Sequence, residues 1–168
     1  MDVHGPYDAP DTDYFEIRES PGLGPQQRLP EAALNGIERY LLQPRWTRLD
    51  DRFELRSWRA RYGAGVHAVD RRLGSFLRAL ENEGMWDHQM VIVTSDHGDY
   101  LGDHWLGEKD LFHAPSVKVP LIVYDPRSGA DGTRGTTCDA LVEAIDITAT
   151  IIDAAGCDVP DHIVEGRS

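Results

Sequence analysis

No run of about twenty apolar residues occurs in these 168 residues, so the pattern of a helical membrane span is missing. Cysteine is scarce. The two present, Cys138 and Cys157, flank an apolar-periodic segment. If that segment is helical, its ends lie roughly 25–30 Å apart at about 1.5 Å per residue, too far for a bridge between them. Two free thiols fit a reducing compartment, and Met1-Asp2-Val3-His4-Gly5-Pro6 does not read as a signal peptide. A cytoplasmic location is the resulting expectation. Basic charge is also short, with 17 Lys and Arg against 29 Asp and Glu and a net charge of −12. That excess of acid argues against a nucleic-acid backbone as general partner, and no membrane partner is expected. Residues 139–165 hold no Lys or Arg at all.

What is present suffices for a folded domain. The length supports one core, and 40% hydrophobic residues with four Trp argue against disorder. Arg52, Arg56, Arg59, Arg61, Arg71, Arg72 and Arg78 crowd one segment and read as a solvated helix face. Residues 1–30 are rich in Pro, Gly, Asp and Tyr and read as an ordered loop, and 31–42 suit a short helix stopped by Pro44. Trp58, Tyr62, Val66, Val69, Leu73, Phe76, Leu77 and Leu80 recur every three or four positions. They predict one face of a long helix from about Asp50 to Gly84. Residues 89–94 and 119–124 predict two buried strands, separated from the last element by a loop over 128–137. Leu141, Ile145, Thr148 and Ile152 predict a second helix ending near Gly156, and the tail reads as extended. Helix, strand, loop, strand, helix is α/β order, and two strands make an incomplete sheet.

The chemistry concentrates where the first strand ends. Val91-Ile92-Val93-Thr94-Ser95 runs into Asp96-His97-Gly98-Asp99. Ligands of open α/β sheets collect beyond the carboxyl ends of strands. A carboxylate and an imidazole on adjacent residues can there converge on one cation, with Gly98 permitting the tight turn. The competing reading makes Asp96 or Asp99 a turn cap and His97 incidental. Lys109 can neutralise an oxyanion or be ordinary surface charge. His4 precedes a rigid Gly-Pro turn or is a plain loop histidine. His104 and His113 bracket the loop of Lys109. Trp105 and Phe112 read as packing for that loop, and His67 as packing on the long helix.

Taken in order, these pieces resemble a family. Thr94-Ser95-Asp96-His97-Gly98-Asp99-Tyr100-Leu101-Gly102-Asp103-His104, then Gly107-Glu108-Lys109, then Val119-Pro120-Leu121-Ile122-Val123, resemble the sulfatase family of the alkaline phosphatase superfamily. The branch with phosphonate monoester hydrolases and choline-sulfatase-like enzymes is the most similar. Tyr62-x-x-x-Val66-x-x-x-Asp70-x-x-x-Gly74 resembles the helix before the metal strand. The segment from Asp146 to Gly156 resembles the helix after "VPLIV", and Gly166-Arg167-Ser168 the start of a "GRSL" segment. His4-Gly5-Pro6-Tyr7-Asp8-Ala9-Pro10 resembles the loop opening the second half of these catalytic domains.

The resemblance implies a hydrolase of sulfate esters, with phosphonate monoesters or phosphodiesters as the alternative substrates. It implies part of an alkaline-phosphatase-like sheet flanked by helices, incomplete in this chain. Asp96 and His97 would be ligands of a divalent metal, Lys109 would contact the anionic oxygens, and His4 would face the leaving group. Asp96 would also lie near the nucleophile. Calcium is the first expectation for the metal. An imidazole beside the carboxylate also suits manganese or zinc. The substrate would be a small anionic ester.

One departure is large. The family's nucleophile is a formylglycine made in C/S-x-P-x-R, and that pattern does not occur here. Cys138 precedes Asp-Ala-Leu-Val, Cys157 precedes Asp-Val-Pro-Asp, and no serine heads the pattern. Residues 1–168 therefore read as a partial catalytic domain, its second half, with the nucleophile-bearing half absent. Such a chain is expected to be inactive alone. A non-catalytic remnant that pairs with an N-terminal half or with a second copy is the other reading.

Overall fold

The computed structural model describes residues 52–107, 109, 111–157 and 162–168. The expected loop over 1–30, the helix over 31–42 and His4 lie outside these residues. The chain divides after Pro126 into two compact units.

In the first unit, helix α1 spans Arg52–Asn82. It stops at Gly84, whose φ of 66° suits glycine. There the Gly84 N–H donates to Glu81 and the Met85 N–H to Leu80, closing the last turn in a Schellman arrangement. The buried stripe differs from the one that bulk predicts. Leu55, Ala60, Ala64 and Ala68 are buried, whereas Val66 and Phe76 are exposed. Alanines four apart share a face, and their small side chains let a neighbour approach closely. A reading weighted towards large apolar residues passes over them.

Strand β1, Val91–Thr94, follows, and after a short helix α2, Ala114–Val117, comes strand β2, Leu121–Tyr124. The strands pair antiparallel, with Val91 opposite Tyr124 and Thr94 opposite Leu121. Trp86 stacks on Tyr124 at 4.4 Å between ring centroids, pinning the approach to β1 against β2. Both strands are shorter than expected, and neither is fully buried: Val91 to Val93 are half-buried and Leu121 to Val123 exposed. Among the described residues no third strand joins them. A two-stranded sheet cannot shield both faces, so apolar β-branched sequence here is not matched by burial.

The second unit holds a 3-10 turn at Ser128–Thr133, where a loop was expected, and helix α3, Ala144–Ala154. Leu141 lies outside α3 and is exposed. Gly156, at φ 68°, ends α3, with its N–H on Asp153 and that of Cys157 on Ile152. Cys138 and Cys157 are both exposed and free.

Asp146 ties the start of α3 to the tail. Its carboxylate accepts N–H groups from Arg167 at 2.9 Å and Glu143 at 2.8 Å. Gly166 makes the approach possible, because a Cβ there would collide with the carbonyl of Ile145. The Arg167 amide, then the Glu143 amide, hold the Asp146 carboxyl below its ordinary pKa. Residual desolvation opposes them and the Arg167 charge assists. A depressed folded pKa contributes stability above the ordinary carboxylate value of about 3.9 and loses it as pH falls through the folded value. Asp146→Ala is therefore expected to melt earlier than the parent at pH 7, with the gap narrowing below about pH 4. Thermal melts across pH check this, and equal melting temperatures at pH 7 would count against it.

Candidate metal and anion site

The turn after β1 is built by its own side chains. Ser95 donates its hydroxyl to the His97 carbonyl at 2.7 Å, and the Asp96 carboxylate accepts the His97 N–H at 3.0 Å. These local bonds replace the ladder that ends at Thr94. Next, the Gly98 N–H donates to the Ser116 carbonyl at 2.7 Å, joining the turn to α2. Gly98 is not among the positive-φ glycines. It is needed because a Cβ would strike the Pro115 carbonyl oxygen. The expected reason for this glycine, backbone freedom, gives way to close approach.

His97 has a defined tautomer. Its Nδ1 lies 2.7 Å from the Gly98 carbonyl oxygen. A carbonyl only accepts, so Nδ1 carries a proton, and in the neutral ring the lone pair is on Nε2. This is the usual way a metal-binding histidine is oriented. Nε2 sits 3.7 Å from Oδ2 of Asp96. Two donors with bonds of about 2.0–2.2 Å can share a cation across that gap. The Asp96 side chain is 86% exposed and that of His97 29% exposed. Desolvation, the largest single influence on Asp96, opposes its ionisation. His97, the backbone amides and Lys109 outweigh it and hold this carboxyl below its ordinary value. The donor is thus ready as a carboxylate.

Lys109 joins Asp96 and His97 around one open cavity of about 300 Å³. Leu111, Phe112, Ser116 and Val117 complete its lining. Three of the four residues singled out from sequence are therefore brought together, and the fourth, His4, lies outside the described residues. The donor set fits a divalent cation in kind but not in number. Among the described residues no group of three or more His, Cys, Asp or Glu could hold a metal.

The loop beyond the turn is anchored by residues that pattern alone undervalued. Arg59 belongs to a helix face expected to be solvated, yet it donates from Nε to the Leu101 carbonyl at 2.7 Å and pairs with Asp103 at 2.8 Å. Arg56, Arg61, Arg71, Arg72 and Arg78 are exposed as expected. Asp99 accepts the Leu101 N–H at 2.9 Å. These bonds hold Leu101 and the adjoining His104 loop at φ 46° and 53°, which non-glycine residues rarely adopt. Tyr100 is fully buried and its hydroxyl lies 3.0 Å from Nδ1 of His113, whose ring stacks on His104 at 4.4 Å. The two histidines bracketing the loop thus close it. Phe112 does not. Expected as packing, it is 95% exposed at the cavity. The spacing Lys109-x-Leu111-Phe112 was the available signal, but apolarity could not tell a wall from a core.

A sequence profile described as Sulfatase matches residues 1–157, and the chain belongs to the sulfatase family. It is 38% identical over 109 residues to an arylsulfatase of Clostridium perfringens, covering 65% of this chain and 22% of that one. It is 36% identical over 118 residues to the multifunctional alkaline phosphatase superfamily protein PehA of Trinickia caryophylli, covering 70% and 22%. Its structure is similar to that of the phosphonate monoester hydrolase of Agrobacterium radiobacter, with a TM-score of 0.62 at 38% identity over 68% of this chain and 22% of that one. The chain spans 22% of the length of each of these relatives. Its α/β arrangement is part of an alkaline-phosphatase-like fold. The family is generally metal-dependent.

Proposed function

We propose that this chain supplies the metal and anion half of a site that hydrolyses sulfate esters. The observation that carries the reading is the His97 tautomer, with Nε2 facing Asp96 across 3.7 Å in the cavity that Lys109 lines. Asp96 and His97 hold a divalent cation, which when bound supplies Lewis-acid polarisation of the ester. A fixed imidazole nitrogen suits manganese or zinc better than calcium, which prefers oxygen donors throughout. Lys109 binds the anionic oxygens and offsets charge that builds on them. His4, on the resemblance of its loop, would face the leaving oxygen, binding it or helping to protonate it. The C/S-x-P-x-R nucleophile motif does not occur in these residues, so turnover requires a nucleophile from outside them.

Two measurements test this. With manganese present, Lys109→Ala is expected to weaken sulfate-ester binding about 10–100-fold, the worth of one charged hydrogen bond. Calorimetry reads that loss, and unchanged affinity would remove Lys109 from the site. The purified 168-residue chain is expected to show no hydrolysis of 4-nitrophenyl sulfate. Robust metal-dependent turnover would refute the half-site reading.

Phosphonate monoesters or phosphodiesters are the second reading, favoured by the likeness to a phosphonate monoester hydrolase at 38% identity. Competition between a sulfate ester and a phosphonate monoester of the same alcohol separates the two.

A further inference from the structure

We propose that Phe112 is a specificity-determining residue that, with Leu111 and Val117, forms the surface receiving the organic group of the ester. The inference rests on the anion-site reading above and deepens it. The cavity lining combines two chemistries. Asp96, His97 and Lys109 are polar and titratable, whereas Leu111, Phe112 and Val117, a few residues further along the chain, are apolar. An ester with an anionic head and an apolar organic group matches both. Its volume of about 300 Å³ lies in the range that receives small organic molecules.

Phe112 presents its ring from a braced point on the backbone. The neighbouring His113 carbonyl accepts N–H groups from Ser116 at 2.9 Å and Val117 at 3.1 Å, at the start of α2. The Ser116 carbonyl in turn binds Gly98, and the His113 ring meets the buried Tyr100 hydroxyl. The bonds that set the His97 turn therefore also set the base of the aromatic wall. Yet the Phe112 ring is 95% exposed and Val117 is 52% exposed. An aromatic ring held in water beside a cation and two metal donors gains contact area when a flat apolar group covers it.

The test compares equilibrium binding of 4-nitrophenyl sulfate, methyl sulfate and inorganic sulfate to the chain with manganese present. The parent is expected to prefer 4-nitrophenyl sulfate over methyl sulfate by about ten-fold, the scale of one aromatic pair. Phe112→Ala is expected to erase that preference while leaving methyl sulfate and inorganic sulfate within about two-fold. Phe112→Tyr is expected to retain it. Equal weakening of all three anions by Phe112→Ala, or an unaltered preference, overturns the proposal. A lower melting temperature with unaltered preference assigns Phe112 to packing and overturns it too. If the parent binds none of the three anions, the anion-site reading fails first. Inorganic sulfate has no organic group, so that failure is distinct from a failure of Phe112 alone.

Discussion

Replacing His97 with alanine is expected to abolish binding of manganese or zinc to this chain. The described residues bring only two donors together, Asp96 Oδ2 and His97 Nε2. Removing one leaves a single exposed carboxylate, which holds no cation tightly in water. Even outer partners of metal ligands typically cost about 10–100-fold in affinity, so loss of a direct ligand should exceed about 100-fold. Asp96→Ala is expected to do the same. Asp96→Asn keeps the shape and an acceptor oxygen but loses the charge, and should fall between. Calorimetric titration of the three variants reads these losses. Undiminished stoichiometry and affinity in both alanine variants would end the metal-site reading.

Gly98→Ala is expected to damage fold and site together. The added Cβ would meet the Pro115 carbonyl oxygen, which is backbone and cannot swing aside as a side chain would. Relief requires the turn and α2 to separate, stretching the Gly98–Ser116 hydrogen bond. Forced overpacking of this kind costs about 1–3 kcal/mol. The same movement displaces the Gly98 carbonyl that fixes the His97 tautomer, so cation affinity should fall at least about ten-fold, at the low end for a lost outer partner. Gly129→Ala is the control. Nothing lies within 4 Å of its added Cβ, and a change within about 0.5 kcal/mol is expected. Denaturation curves of the two variants compare them. Similar stability for both would mean that the close approach at Gly98 is relieved without cost.

Much of this was legible in the residue order. The helix ends at Gly84 and Gly156 follow from glycine's access to positive φ, a local property. The strand leading into Asp96-His97 is likewise local, because β-branched residues and a sudden polar turn mark it whatever surrounds it. The family resemblance rests on such local pieces in order. Burial was another matter. Val66 reads as core and is exposed, whereas Ala64, a weak signal in any apolar pattern, is buried. Arg59 sits in a run of arginines that reads as solvated, yet it holds the Leu101–Asp103 loop.

Residue order alone placed the carboxylate and the imidazole side by side, supplied a lysine twelve positions on, and left out the nucleophile motif. Covalent adjacency does not bring Lys109 to Asp96 or choose which nitrogen of His97 keeps its proton. Both depend on groups distant in sequence or set by the fold of the turn: the Ser116 carbonyl that receives Gly98, and the Gly98 carbonyl that receives Nδ1. Hydrogen bonds that define a site are short and directional, while sequence patterns carry only periodicity and spacing. The chemistry of the donors was therefore local, and their aim was decided by the tertiary structure.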